Sequence, residues 1–244
     1  SIYSLHGIPV LLKDNINYDG LATTAGSFAL KNNISKNAFV VDKLKENGAL
    51  ILGKTNLSEW AYYFCNNCPS GYSALGGQTL NPYGRKIFDS GGSSSGSGVA
   101  ISANFSTVSL GSETSGSILS PSSANSIVGL KPTIGLVSRS GIVPISSALD
   151  TSGPMTKNVI DNAIVLKAIS GFDQNDSMSV DNVDIDLESI VKSSLKGKRF
   201  GVFNEFLNDS LYLNAVNKIE KLGGIIIKFN PPQVDFNGFR KILD

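Results

Sequence analysis

Apolar positions along this chain fall into short clusters that alternate between strand-like runs and helical faces. Gly7 to Leu12 is one compact apolar run and Ala49 to Leu52 is another. Between them, Phe39 to Asn47 sets Val40, Val41 and Leu44 among charged residues, the spacing of a single helical face. Gly48 follows where a helix is expected to end. The pattern returns late in the chain, with a strand over Lys198 to Phe203, a helix over Leu211 to Leu222 and a strand over Gly224 to Phe229. Gly223 and Gly224 mark that helix end, and Pro231 and Pro232 close the strand. Such alternation predicts helices packed on a largely parallel sheet.

The middle reads differently. Asp89 to Gly98 is a run of serine and glycine, and Gly111 to Ser117 repeats the style. A flexible linker has this composition. Linkers are not normally flanked by periodic apolar segments, yet Val99, Ala100, Ile101 and Ala103 suggest a short helix and Thr107 to Leu110 a strand. Packed loops between buried elements are places for backbone-mediated chemistry. Gly153, Pro154 and Asn158 precede a helical run over Val159 to Ile169. The polar, acidic stretch from Ser170 to Ser194 predicts a surface connection, and no internal repeat is visible.

Composition narrows the function classes. The 244 residues allow one large domain or two small ones. With 41% hydrophobic and 17% charged residues, a sizeable core is available and charge-driven disorder is excluded. The net charge is +1 with Lys and Arg dispersed, so there is no electrostatic footprint for nucleic acid. A small-molecule or peptide partner fits better. No apolar run approaches the roughly 18 to 20 residues of a membrane span. No membrane partner is expected, and a cytoplasmic location is. The chain starts at Ser1 and stops within an amphipathic pattern, so both ends read as cut from a longer protein.

Cys65 and Cys68 share the spacing of redox and zinc sites. A structural zinc site takes four ligands, no second pair exists and His6 is the sole histidine. Two ordinary loop thiols are expected, with a local disulfide as the alternative.

Two other pattern matches fail on physical grounds. Gly48 to Thr55 fits a phosphate-binding loop, but its four intervening residues are Ala-Leu-Ile-Leu, a strand rather than a cradle of N–H groups. Gly92 to Gly96 fits a nucleophile elbow around Ser94, whose histidine base should follow in chain order. His6 precedes it and lies beside an apolar strand. The elbow survives only if a histidine lies in further sequence.

Serine-based amide hydrolysis needs a nucleophile, a base, oxyanion donors and a proton for the leaving amine. Without a usable histidine, a deprotonated lysine is the main other route. Lys13 directly follows a buried-looking strand, where lost hydration would lower its pKa. Taken alone, a surface lysine at a strand end is the simpler reading.

A family resemblance changes that balance. Gly91 to Gly98, then Leu110 to Ile118, then Val128 to Arg139 resemble the core of the amidase signature family. Gly7 to Val10 followed by Lys13-Asp14-Asn15 is similar to its lysine segment, and Thr23 to Ser27 and Gly53 to Asn56 to its connecting motifs. The resemblance implies a single domain over 1–244 with the signature core at 6–169. It implies an α/β fold with a mixed, largely parallel twisted central sheet flanked by helices, here an incomplete copy. It also implies a Ser-Ser-Lys triad, with Ser117 as nucleophile, Ser93 as bridging serine after a cis peptide bond from Gly92, and Lys13 as base. The backbone N–H groups of Thr114, Ser115, Gly116 and Ser117 would form the oxyanion hole. No metal or other cofactor is called for.

Ser94, Ser95 and Ser97 read as loop-stabilising hydroxyls, and Asp14 and Arg139 as structural partners. The chain departs from the family at Ser115, where Gly is frequent, at Glu113, where Asp is frequent, and over Leu119 to Ser123. These departures bear on substrate preference, not on the triad. Gly53 to Trp60, Ser70 to Tyr83 and Ile142 to Ile145 look most like the peptide-amidase branch, which implies peptide C-terminal amides as substrates. The alternatives are the glutaminase subunit of a tRNA-dependent amidotransferase and a non-catalytic remnant.

Overall fold

A computed structural model describes residues 4–65, 67–180 and 184–232. The chain folds as two compact units, Ser1–Leu187 and Glu188–Asp244, and the segment 6–169 lies wholly in the first.

The first unit is built on a five-stranded mixed sheet. Three of its strands are β1 (Pro9–Lys13), β2 (Leu50–Thr55) and, later in the chain, β5 (Val108–Glu113). Both β2 and β5 run parallel to β1, one on each side. A small hairpin of β3 (Tyr72–Ser73) and β4 (Gly77–Gln78) stands apart from that sheet. Two further strands, β6 (Val128–Gly129) and β7 (Thr151–Thr156), complete the order β2-β1-β5-β7-β6. Strand β7 is antiparallel to both of its neighbours. The expected mixed α/β sheet is therefore present, parallel through β2-β1-β5 and antiparallel beyond.

Helix α1 (Phe39–Glu46) makes the crossover from β1 to β2 and buries Val40, Val41 and Leu44, the apolar face read from its spacing. These side chains meet Val10, Leu12 and Leu110 of the sheet in one core, together with Val165 and Ile169. At about 25 cal/mol per Å² of apolar surface, each such side chain contributes about 1.5 to 3 kcal/mol. Helix α2 (Ser95–Ser102) begins inside the serine-glycine run rather than after it. Ser95 and Ser97 are buried in it, Ser97 Oγ donates to Leu110 O of β5, and Ser109 Oγ of that strand donates back to Ser97 O, so the run is packed structure. Helices α3 (Leu119–Ala124) and α4 (Val159–Ile169) follow. The Asn158 side chain caps α4, accepting from Asp161 N at 2.8 Å.

Three expectations are corrected. Strand β7 reads Thr-Ser-Gly-Pro-Met-Thr, which shows neither alternation nor an apolar run, and sequence pattern treated it as the lead into a helix. All six of its residues are buried, because the sheet is covered on both faces there. The stretch after Ser170 is not simply a surface connection, since Asp173 and Asp176 are buried within it. It also carries the short helix α5 (Leu187–Val191). Cys65 and Cys68 are disulfide-bonded rather than free, their Cα atoms 5.7 Å apart and within bridging range.

In the second unit, β8 (Arg199–Phe203) pairs in parallel with β9 (Ile225–Phe229) through the crossover helix α6 (Ser210–Lys221). This is the strand-helix-strand order expected from the pattern. Asp209 caps α6 by accepting from Tyr212 N at 2.9 Å. Among the described residues no helix is long and apolar enough to cross a membrane.

Candidate active site

Lys13 ends β1, the strand flanked in parallel on both sides, and its side chain has no exposed surface. A buried ammonium must find oxygen partners. Lys13 Nζ donates to Ser93 Oγ at 2.8 Å, to Ser112 O at 3.1 Å and to Ser112 Oγ at 3.0 Å. All three donors of the charged amine are thus occupied. Burial is the largest influence on this group and lowers its pKa from 10.5 to about 7, against the opposing pull of the Glu113 and Asp150 carboxylates. The bland alternative of a surface lysine at a strand end is excluded by this burial.

Ser93 lies in the loop before α2, directly after a cis Gly92–Ser93 bond, as the resemblance implies. A side chain at Gly92 would lie 2.3 Å from Tyr62 Oη and 2.6 Å from Ser58 Oγ, so only glycine fits the close approach. The loop is tied down on both sides: Ser58 N donates to Ser93 O at 3.0 Å, and Ser94 N donates to Ser117 O at 3.0 Å. Ser94 Oγ donates to Ser112 O, Ser95 Oγ to Gly91 O and Ser97 Oγ to Leu110 O. These three hydroxyls support loop and strand backbone, and Ser94 has no histidine near it. His6 is exposed at the opposite end of β1 from Lys13.

Ser117 follows the tight turn at Gly116, whose φ is +84°. The Ser94–Ser117 backbone bond brings its segment against the Ser93 loop. Lys13 and Ser93 are joined directly, whereas among the described residues the Ser117 hydroxyl makes no hydrogen bond. The turn is shaped by Glu113, the departure noted in the sequence. Its carboxylate accepts from Gly116 N at 2.7 Å, Ile118 N at 2.7 Å and Leu119 N at 3.0 Å. The Gly116 N–H is therefore already engaged, which corrects its expected role as an oxyanion donor. The N–H groups of Thr114, Ser115 and Ser117 make no hydrogen bond within the described residues.

Residues that sequence reasoning left without a role complete the surroundings. Ser112 carries two of the three Lys13 contacts, and Asn15 Nδ2 donates to Ser112 Oγ at 2.8 Å. The only sequence signal was a polar residue at the end of each buried strand. Thr114 Oγ1 donates to Asp150 Oδ1 at 2.5 Å, while Asp150 Oδ2 accepts from Ile145 N and Ser146 N. Asp14 pairs with Lys54 at 3.2 Å, and Arg139 pairs through two nitrogens with Asp176, whose carboxyl is held down to about 2. Asp14 and Arg139 are structural partners, as their positions in the sequence suggested. A cavity of about 270 Å³ opens beside Ser112, Thr114, Arg139 and Asp150. A second of about 250 Å³ is walled by Leu57, Trp60, Tyr63 and Phe64. Asn15 and Val143 to Ile145 line both. Among the described residues no group of three or more His, Cys, Asp or Glu side chains could hold a metal ion.

The family model described as Amidase matches residues 2–237. The chain belongs to the amidase signature family. Within it, the chain is 46% identical over 230 residues to an Arabidopsis thaliana protein named a probable amidase, covering 91% of this chain and 44% of that protein. It is 42% identical over 241 residues to one of the subunits of the Glutamyl-tRNA(Gln) amidotransferase of Thermoanaerobacter pseudethanolicus, covering 96% of this chain and 48% of that one. The X-ray structure of native peptide amidase from Stenotrophomonas maltophilia superposes with a TM-score of 0.88 at 45% identity, covering 93% of this chain and 48% of that one. This amidase signature chain thus spans about half the length of the curated relatives it matches.

Proposed function

We propose that the protein hydrolyses carboxamides through an acyl-enzyme, with Ser117 as nucleophile, Ser93 as bridging hydroxyl and Lys13 as base. The observation that carries this reading is the contact between the buried Lys13 amine and Ser93 Oγ at 2.8 Å. At pH 7 an ordinary lysine is neutral in only about one molecule in three thousand. With its pKa near 7, Lys13 is neutral in about half, a gain that a proton acceptor requires.

Neutral Lys13 takes the proton of Ser93 as Ser93 Oγ takes that of Ser117. Ser117 Oγ forms its bond to the amide carbon, and the carbonyl electron pair moves onto oxygen. The free N–H groups of Thr114, Ser115 and Ser117 receive that oxyanion, each worth on the order of 3 kcal/mol in the transition state. Reversal of the relay delivers a proton to the departing nitrogen as the C–N bond breaks. Water, deprotonated by the same route, then releases the acid.

Peptide C-terminal amides are the proposed substrates, on the strength of the likeness to the Stenotrophomonas maltophilia peptide amidase. The second reading, the glutaminase subunit of an amidotransferase, is favoured by the 42% identity to the Thermoanaerobacter pseudethanolicus amidotransferase chain. Ammonia release by the whole protein from a peptide amide, a small amide and glutamine separates the two. Ser117→Ala is expected to lower release by about 10³-fold or more, and undiminished release would remove the nucleophile assignment.

A further inference from the structure

We propose that Ser112 and Asn15 form a bracket that fixes the two N–H bonds of neutral Lys13 and so aims its lone pair at Ser93. The inference rests on the reading of Lys13 as base and assigns positioning roles to two residues outside the triad.

A neutral primary amine has two N–H bonds and one lone pair. Lys13 Nζ faces three oxygens, Ser93 Oγ, Ser112 O and Ser112 Oγ, at 2.8, 3.1 and 3.0 Å. The ammonium donates to all three. Once a proton leaves, one of the three contacts must reverse, so that an O–H donates to nitrogen. Ser112 O is a carbonyl and can only accept, so it keeps one N–H. The lone pair must then face Ser93 or the Ser112 hydroxyl. Only the first is productive, because the Ser93 loop is bonded to the Ser117 segment.

Asn15 decides between them. Its carboxamide meets Ser112 Oγ at 2.8 Å, and its other end, Oδ1, is buried without a partner among the described residues. With Nδ2 on Ser112 Oγ, that hydroxyl has one lone pair filled by Asn15 and can face Lys13 with either its other lone pair or its O–H. With the amide turned end for end, Ser112 donates its O–H to Asn15 and offers Lys13 only lone pairs. The turned setting, which also gives Oδ1 a donor, is therefore the one the bracket requires: Ser112 Oγ then accepts from Lys13, and Ser93 remains as the hydroxyl that gives up a proton. The bracket therefore excludes a dead-end pairing and holds the amine against rotation about its last carbon bond.

The pH profile of the whole protein on a peptide amide tests this, because loosening of the site and loss of the bracket move it in opposite directions. Ser112→Ala removes an acceptor that binds ammonium more strongly than amine, so the rising limb should move down by about half a unit to one unit. The plateau should fall by about 10- to 100-fold as the amine loses its orientation. Ser112→Thr, which restores the hydroxyl, should recover most of the plateau, and Asn15→Ala should lower it with a smaller shift of the limb. If Ser112→Ala does not fold, as judged by its melting transition, Ser112→Cys carries the same test with a weak acceptor of similar size. A limb that moves up towards ordinary lysine values indicates water entry and overturns the proposal, as does an unchanged plateau. Lys13→Ala run beside these variants separates the two readings. Activity retained in Lys13→Ala removes the base assignment itself, whereas an inactive Lys13→Ala with an unaltered Ser112→Ala removes only the bracket.

Discussion

Lys13 Nζ lies 2.8 Å from Ser93 Oγ although the two residues are 80 positions apart in the chain. The contact exists because β1 lies between β2 and β5 in the sheet and the Ser93 loop is clamped by backbone bonds from Ser58 and to Ser117. It puts an amine whose pKa is lowered to about 7 against a serine hydroxyl, with no exposed surface on the amine.

Lysine acts as base only when neutral, so kcat/KM should rise with pH through about 7 and level off above it. Lys13→Ala should lose this limb together with nearly all activity. A limb near 10 in the parent protein would contradict the burial argument.

Stability should follow the same group with a definite sign. Folded Lys13 releases its proton near 7, whereas the unfolded lysine holds it to about 10.5. Between those values the unfolded chain binds more protons, so stability rises with pH, by at most about 1.4 kcal/mol per unit from this residue. Below pH 7 both states are charged and the full cost of burial stands. Lys13→Met should flatten the slope between pH 7 and 10, and denaturant midpoints measured across that range would show it.

Glu113 supports the turn that presents Ser117. Glu113→Ala leaves the N–H groups of Gly116, Ile118 and Leu119 without their acceptor, at about 1 to 3 kcal/mol for each one left unpaired. Its melting temperature should drop sharply. Glu113→Gln keeps the shape and removes a negative charge that favours protonated Lys13, so its activity limb should move to lower pH. A shift to higher pH would show that the charge is not felt at Lys13.

The Arg139–Asp176 pair fastens the stretch after Ser170 to the first unit's interior. Asp176→Asn leaves Arg139 without its carboxylate and should cost about 3 kcal/mol. The carboxyl of Asp176 is held near 2, below the ordinary 3.8, so its contribution is complete above 3.8 and is lost as pH falls from there towards 2. Acid unfolding of the parent, compared with the Asn variant, should differ in that window.

Much of the fold could be read from spacing alone. The apolar period of α1, the Asn158 cap of α4 and the β8-α6-β9 crossover depend on neighbours a few residues away, and local sequence records them. Strand β7 could not be read this way, because Gly153 and Pro154 have poor strand propensity and are held by pairing with Leu110 and Gly111. The disulfide likewise depended on the 5.7 Å separation of the Cys65 and Cys68 Cα atoms, which spacing in the sequence does not fix.

Of the site, the sequence by itself determined the chemistry on offer. A strand-end lysine and two serine-glycine loops were on offer and no histidine was well placed, but taken alone a surface lysine was the simpler reading, and only the family resemblance pointed to Lys13, Ser93 and Ser117. Tertiary structure decided what those groups can do. It buried the Lys13 amine, brought Ser112 and Asn15 around it, and gave the Gly116 N–H to Glu113 rather than to an oxyanion. The reason is physical. Residue identity sets which donors and acceptors exist, but proton affinity and hydrogen-bond occupancy depend on which distant segments exclude water and which oxygen lies within about 3 Å.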